Sequence, residues 1–335
     1  MTITDAPAET RPAHRPRITR TLLIWLLVIP AVVWFVIRAF GLEGGRMIQG
    51  IAFTPYVAAW SLFPALVALL ARRWGAGAVA VLTAFGLAMG VVPRALPNLD
   101  RGPADGVTLT VMTVNLLFGG ADPADVVRLV RENDVAVLAL QEFTEESRDG
   151  LRSAGLDDLL PYHSFAAEAG ASGSGLYSRY PVSDPGARRN NGGWRFLQAY
   201  ATVQVPGATP VLAESAHPLA PAVPNTFDGW RSDLAEQPPA DPDRTPRILL
   251  GDFNSTLDHK PLRDLIKTGY RDAAETTGEG LIGTWGPYDG DLIPPVTIDH
   301  VLVDKRIGVD DISVFNVKNS DHRAVIAALT LPEAK

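Results

Sequence analysis

Three long stretches of this chain carry almost no charge: Thr21 to Phe40, Met47 to Leu70 and Gly75 to Val92. An α-helix rises about 1.5 Å per residue, so roughly 20 apolar residues cross the ~30 Å hydrocarbon core of a bilayer. The first stretch is interrupted only by Pro30 and by Arg38 near its far end, the second has no charged residue, and the third is rich in Ala and Gly. The expectation is a membrane region over residues 21–93 with three transmembrane helices, 21–40, 47–70 and 75–92. A cleaved signal peptide would share the basic flank and apolar core of the first stretch. However, no clear small-x-small cleavage site follows it, and two further apolar runs do.

Residues 1–20, with Arg11, Arg15, Arg17 and Arg20 among Pro, Ala and Thr, read as a basic disordered tail. These four Arg and the Arg72-Arg73 pair outweigh Arg38 and Arg46 around the first loop, which places the N-terminus in the cytoplasm. With an odd number of spans, everything after Val92 then lies outside. The expected location is the cell membrane, multi-pass, with an extracytoplasmic C-terminal domain. Pro93, Pro97, Gly102 and Pro103 make residues 94–106 a linker that cannot continue a helix.

From residue 107 the pattern becomes that of an α/β domain reaching residue 332. Val107 to Val114 alternates as a strand, Asp122 is placed to cap a helix over Ala124 to Glu132, and Asp134 to Leu140 is a continuous apolar strand. Short strands follow at Gly175 to Tyr177, Ala199 to Val205, Val211 to Ser215, Arg247 to Leu250, Asp299 to Val303, Ile312 to Val317 and Ala324 to Leu331; Pro261 to Lys267 is the clearest later helix. Many strands with helices between some of them predict sheets packed face to face and covered by helices. The chain has no Cys, which excludes disulfides and thiolate chemistry.

Chemistry-bearing residues gather at strand ends. In Leu249-Leu250-Gly251-Asp252-Phe253-Asn254, Asp252 and Asn254 stand two apart and point to one side of an extended backbone. Asp252 can accept a proton or orient water, and Asn254 offers an N–H to an oxygen gaining charge. Asn115 and Glu142 end the first two strands, His217 follows Val211 to Ser215, Asp299-His300 opens another strand, and Ser320-Asp321-His322 precedes the last. Singly each has a bland reading: Glu142 a solvated strand-end acid, His217 a turn residue before Pro218, Asp321 a cap. Together, a carboxylate and an amide oxygen suit one hard divalent cation such as Mg²⁺.

The order and wording of these pieces resemble the endonuclease/exonuclease/phosphatase superfamily, the Mg²⁺-dependent phosphoesterases with a DNase I-like fold. The matching segments are Thr113-Val114-Asn115, Leu140-Gln141-Glu142, Ser174 to Pro181, His217, Gly251-Asp252-Phe253-Asn254, Ile298-Asp299-His300-Val301 and Ser320-Asp321-His322-Arg323. The resemblance implies a four-layer α/β/β/α sandwich with its site at one end of the sheets. It implies Glu142 as the principal Mg²⁺ ligand with Asn115 beside it, Mn²⁺ being a substitute, and His322 next to the scissile phosphate, held by Asp299. It further implies Asp252 as the water-orienting acid, Asn254 and His217 as donors to phosphate oxygens, and Asp321 as a helper of the metal or of His322. Two departures stand out. Leu117 occupies a place where several nucleases of the family have an acid, and the histidine segment reads Ala216-His217-Pro218 where Thr-His-Leu is usual.

From residue 106 onward 20 Lys and Arg oppose 32 Asp and Glu, a formal balance of −12, which disfavours a nucleic-acid partner. The loop Arg188-Arg189-Asn190-Asn191-Gly192-Gly193-Trp194-Arg195 could meet lipid headgroups or a pyrophosphate, and a membrane tether makes lipid-linked phosphate the expected substrate class. Membrane-anchored members with a few N-terminal spans, the VanJ-like branch linked to resistance to glycopeptide antibiotics such as teicoplanin, look similar. Two other classes remain open: an extracytoplasmic nuclease, and a catalytically inactive membrane-bound binding protein on the same fold.

Overall fold

The structure is a computed structural model that describes residues 15–287, 290 and 292–334. Residues 1–14 of the expected tail, Arg11 included, lie outside the described residues. Residues 15–20, expected as disordered, already belong to the first helix, Arg15–Phe40. Pro16 falls in its first turn, where a missing N–H breaks no internal hydrogen bond.

The second apolar stretch departs from the expected single helix over 47–70. It forms three short helices, Met47–Ile51, Thr54–Trp60 and Leu62–Leu70. The reason is proline geometry: a Pro ring clashes with the carbonyl four residues earlier. Pro55 and Pro64 stand four residues after Ile51 and Trp60, the residues at which the first two helices stop. Thr54 Oγ1 donates to the freed Ile51 carbonyl at 2.6 Å. The third stretch, expected over 75–92, is one continuous helix, Trp74–Val91, that tightens into a 3₁₀ turn at Val92–Ala95.

Phe35 packs on Gly86 and Arg38 on Gly90, so the first and third stretches run in the same direction; Leu69 on Gly77 makes the second run back between them. The ends near Phe40 and Ala95 therefore lie at the C-terminal α/β domain, and Arg72-Arg73 lies at the far end. Among the described residues, two helices are long and apolar enough to cross a membrane, Thr19–Phe40 and Trp74–Ala95, whereas Thr54–Leu70 is shorter. Their outward faces, including Leu22, Leu26, Phe63, Leu66, Leu82 and Phe85, are uncovered.

The expected linker is not a free tether. Arg94 is buried, Asn98 N–H donates to Thr276 O at 2.9 Å, and Asp100 pairs with Arg271 at 2.9 Å.

The domain beyond contains two six-stranded mixed sheets. The first is built from β1 (Val107–Asn115), β2 (Val137–Gln141), β3 (Tyr162–Ala166), β4 (Ser174–Ser178), β11 (Gly308–Asn316) and β12 (Arg323–Leu331), in the order β11-β12-β1-β2-β4-β3. The second contains β5 (Val182–Arg189), β6 (Leu197–Val203), β7 (Val211–Ala216), β8 (Arg247–Asp252), β9 (Tyr270–Asp272) and β10 (Asp299–Asp304), in the order β5-β6-β7-β8-β10-β9.

Residues such as Val111, Ala139, Leu250 and Val301 meet between the sheets. Outside the first sheet, helices Pro123–Glu132 and Glu145–Ser153 cover Met112, Val114, Leu138 and Leu140. Outside the second, helices Phe227–Ala235 and Lys260–Lys267 cover Leu249, Phe253 and Leu302, and Ile48 from the N-terminal region joins that cluster. This is the α/β/β/α layering expected from the sequence.

Local signals explain the elements. The Asp122 side chain accepts the Ala124 N–H ahead of Pro123–Glu132, and Thr144 and Ser147 cap each other reciprocally at the next helix. Gly251 is required where β8 runs parallel to β7: a Cβ there would stand 1.9 Å from the Ala216 carbonyl oxygen.

Candidate active site

β1 and β2 are parallel, as are β7 and β8, while β10 and β12 run against their neighbours. The carboxyl ends of the first four and the amino ends of the last two therefore share one edge of the sandwich, and all eight residues expected in the site lie there. Asp252 and Asp299 are direct cross-strand partners. Glu142 and Asn254 follow their strands in left-handed conformations, with φ of 56° and 48°. Such backbone costs on the order of 1–3 kcal/mol per residue and turns each side chain out of the strand's alternation.

Asn115 is the hinge of the cluster. Its amide nitrogen donates to Glu142 Oε1 and to Asp252 Oδ2, both at 3.1 Å, while its oxygen accepts the Leu117 N–H at 3.0 Å. Phe118 N–H donates to Glu142 Oε2 at 2.6 Å. His322 Nδ1 faces both oxygens of Asp299, at 3.0 and 2.9 Å, and its Nε2 stands 3.7 Å from Asp252 Oδ2 and 3.9 Å from Asp321 Oδ1. Asn254 N–H donates to Asp252 Oδ1 at 2.8 Å, and its amide nitrogen donates to Pro218 O at 3.0 Å. That nitrogen keeps a second hydrogen for a ligand.

The electrostatics follow from burial and from these neighbours. Burial alone would keep the His322 ring neutral, but Asp299 and then Asp252 outweigh it and hold the ring protonated. Burial lifts Asp252 far above the ordinary carboxylate range, with His322 partly offsetting the rise and Asp299 adding to it. Burial also raises Glu142 despite the Phe118 and Asn115 hydrogen bonds. His217 is driven down to about 3 by burial and by the charge of His322, so its 3.8 Å approach to Asp252 is not an ion pair.

Four carboxylates, Glu142, Asp252, Asp299 and Asp321, thus converge on one imidazolium. Asp321 Oδ1 is buried with no hydrogen-bond partner, although Oδ2 accepts the Trp285 indole N–H at 2.8 Å. A surplus of buried oxygen charge and an unpartnered oxygen fit a hard divalent cation. Asp252, Asp299 and His322 lie within 4.8 Å of one another and could hold a metal.

Several supporting roles escaped the sequence reading, although Ser320 and Asn190 stand in segments singled out there. Thr284 Oγ1 accepts the Ile298 and Asp299 N–H groups, both at 3.0 Å, and Ser320 Oγ accepts the His322 N–H at 3.1 Å while donating to Asn115 O at 2.8 Å. Asn190, fully buried, donates to His217 O at 2.9 Å, and Phe196 packs on the His217 ring. The loop expected to offer three Arg to a headgroup offers fewer. Arg188 is bound to Glu214 and Arg189 to Glu168, each answering a carboxylate of its own domain, which leaves Trp194 and Arg195 exposed.

His300, next to Asp299, plays a structural part. Its Nδ1 lies 2.7 Å from Asp272 Oδ2 and its Nε2 2.8 Å from Ser255 O, two acceptors that only an imidazolium can serve together. Burial works against the charge, yet Asp272 raises the pKa above the usual 6.5. The stabilisation is therefore complete below that value and is lost as pH rises through the folded-state pKa. The thermal midpoint is expected to fall on the alkaline side, more shallowly in a His300→Gln variant; an unchanged slope in that variant would assign the fall to another group.

The profile of the Endonuclease/Exonuclease/phosphatase family matches residues 112–322. No curated protein matches the chain in sequence. Among solved structures, the endonuclease/exonuclease/phosphatase from Beutenbergia cavernae DSM 12333 is similar at TM-score 0.52 and 20% identity, over 67% of this chain and 72% of that one. Humanized D. rerio TDP2 is similar at TM-score 0.54 and 14% identity, over 67% and 99%. The mannosyl-6-phosphatase Bt3783 of Bacteroides thetaiotaomicron VPI-5482 is similar at 0.50 and 16%, over 67% and 100%. At these identities the likeness speaks for the fold, and the profile reaches from β1 to His322, spanning every strand-end segment of the site. The chain belongs to the endonuclease/exonuclease/phosphatase family, whose members are hydrolases of phosphoesters.

Proposed function

We propose that this protein is a membrane-anchored, Mg²⁺-dependent phosphoesterase that cleaves a lipid-linked phosphate or pyrophosphate of the cell envelope at the outer membrane surface. The observation that carries this reading is the convergence of Glu142, Asp321 and Asp252 with the Asp299-held His322 at one sheet edge.

Glu142 and Asp321 would hold the ion, with Asn115 beside them. The alternative trio of Asp252, Asp299 and His322 is less suited, because His322, held protonated by Asp299 and Asp252, has no lone pair to offer a cation. When bound, the ion supplies Lewis-acid polarisation of a phosphoryl oxygen. His322 presents its Nε2–H to the same phosphoryl group, and Asp299 keeps the ring in that orientation. Asp252 receives the proton of the attacking water, a task suited to a carboxylate of raised pKa. The second N–H of Asn254 is free for a phosphate oxygen.

Three features support the membrane and lipid part. The helices Thr19–Phe40 and Trp74–Ala95 keep most of their apolar surface uncovered, unlike core helices of a soluble protein. Arg38, within the first helix, is bonded to Asp258 of the catalytic domain, which disfavours a cleaved leader. The up-down-up course places Arg72-Arg73 opposite the domain, as an extracytoplasmic domain requires. A part in resistance to glycopeptides such as teicoplanin would follow from a wall-carrier substrate.

The test is a panel of lipid phosphates, a soluble phosphodiester and a phosphomonoester, with and without Mg²⁺, on detergent-purified protein. Mg²⁺-dependent release is expected, and Glu142→Ala should lower it by at least about 100-fold. If native protein never exceeds that variant on any ester, the inactive-binder reading prevails, and plasmid nicking would favour the nuclease. A reporter fused after Lys335 should signal outside the cytoplasm; a cytoplasmic signal would overturn the proposed topology.

A further inference from the structure

The loop that follows Asp252 and Asn254 is not held by the catalytic domain alone. Asp258 is fully buried, and two Arg from the N-terminal region converge on its carboxylate. Arg94 donates Nη1 to Oδ2 at 2.8 Å and Nη2 to Oδ1 at 2.7 Å, and Arg38 donates Nε to Oδ1 at 2.5 Å. Burial opposes the Asp258 charge, but Arg94 and Arg38 overcome it and hold the pKa below the ordinary range.

The next residues are tied down as well. His259 accepts the Thr256 N–H on Nδ1 at 2.9 Å and so carries its proton on Nε2, which donates to Ile48 O at 2.8 Å. Lys260 N–H donates to Glu43 Oε1 at 2.7 Å.

The other two loops that flank the site lean on the same segment. Gln49 donates to Pro221 O at 2.9 Å and Ala222 O at 2.8 Å, in the stretch whose Pro218 carbonyl holds Asn254. Tyr56 OH donates to Pro295 O at 2.7 Å, between Trp285 and Asp299. The beginning of the second apolar stretch, with Glu43 just before it, is thus a floor under three loops of the site.

We propose that Arg94 and Arg38 are positioning residues for hydrolysis: through Asp258 they fix the loop that carries Asp252 and Asn254, so the helical bundle sets the geometry of the catalytic centre. This rests on the phosphoesterase reading of that centre. A displacement of about 1 Å at a reacting group can cost on the order of 100-fold in rate, and a buried carboxylate stripped of its partner cannot keep its place.

The full-length protein in detergent, assayed with Mg²⁺ on bis(p-nitrophenyl) phosphate, tests the proposal. Arg94→Gln and Asp258→Asn should lower kcat by about 10–100-fold with KM within about twofold, and Arg94→Lys should recover part of the loss. Trp230 gives a second readout, because its indole N–H donates to Asn254 O and to Ser255 Oγ, both at 3.0 Å. In fluorotryptophan-labelled protein, its ¹⁹F resonance, assigned with Trp230→Phe, should shift in both variants while helical content is retained.

Variants that keep kcat within about twofold and leave the Trp230 resonance in place would overturn the proposal. If native protein hydrolyses no ester, the phosphoesterase reading fails separately, and the resonance alone decides whether the bundle positions the loop. A variant that loses its helical content is replaced by Arg38→Lys, judged by the same two measures.

Discussion

His322→Ala is expected to lower kcat/KM by about 1000-fold or more, which corresponds to roughly 4 kcal/mol of transition-state stabilisation. Two losses combine. The substitution removes the only imidazolium facing the site among the described residues, and it leaves Asp299, 2% exposed, with a buried carboxylate deprived of its partner. Asp299→Asn separates them, since it keeps the ring but not the charge that holds it protonated, and it should fall between native and His322→Ala. Steady-state kinetics at saturating Mg²⁺ with thermal midpoints measured in parallel check this. A folded His322→Ala enzyme within tenfold of native would remove His322 from the chemistry.

The second large effect is expected at Asp252. Asparagine is nearly isosteric, and its one amide oxygen can still accept from the Asn254 N–H, although the NH2 that replaces Oδ2 no longer accepts from the Asn115 amide; the fold should survive while proton acceptance is lost. A drop of about 10²–10⁴-fold in kcat is expected. The pH profile adds a signature. Burial raises the Asp252 pKa, and the residue acts as its carboxylate, so native activity should fall as pH drops through a point above the ordinary carboxylate range. The residual activity of Asp252→Asn should lack that limb. An unchanged acid limb in the variant would assign it to another group, Glu142 being the next candidate because burial raises it as well.

Much of the catalytic domain was legible because its strands obey simple periodicity and end in unusual residues. Val107 to Val114, Val211 to Ser215 and Asp299 to Val303 were found within one or two residues of their observed limits. The strands overlooked have physical reasons to be faint. Val182–Arg189 contains Asp184-Pro185 at a break in its register and is half exposed, Tyr162–Ala166 is an edge strand that opens on two exposed residues, and Tyr270–Asp272 spans three residues.

The site was legible as a set of acids, amides and histidines, but not its supports. Thr284, Ser320 and Trp285 reach Asp299, Asn115 and Asp321 across chain distances that leave no local pattern. Arg188 and Arg189 looked available because sequence does not reveal that Glu214 and Glu168 claim them. The breaks in the second apolar stretch were in principle readable, since Pro55 and Pro64 mark them four residues ahead.

The place of β12 bears on how the protein is made. The final nine-residue strand, Arg323–Leu331, is interior to its sheet, paired with β11 on one side and with β1, the first strand of the domain, on the other. Until the ribosome has released it, β1 and β11 each present a raw edge, and His322 has no anchored backbone from which to meet Asp299. A chain lacking β12 would then be both inert and adhesive, an obvious target for quality-control proteases. The candidate site is in this way complete only once β12 has joined both its neighbours.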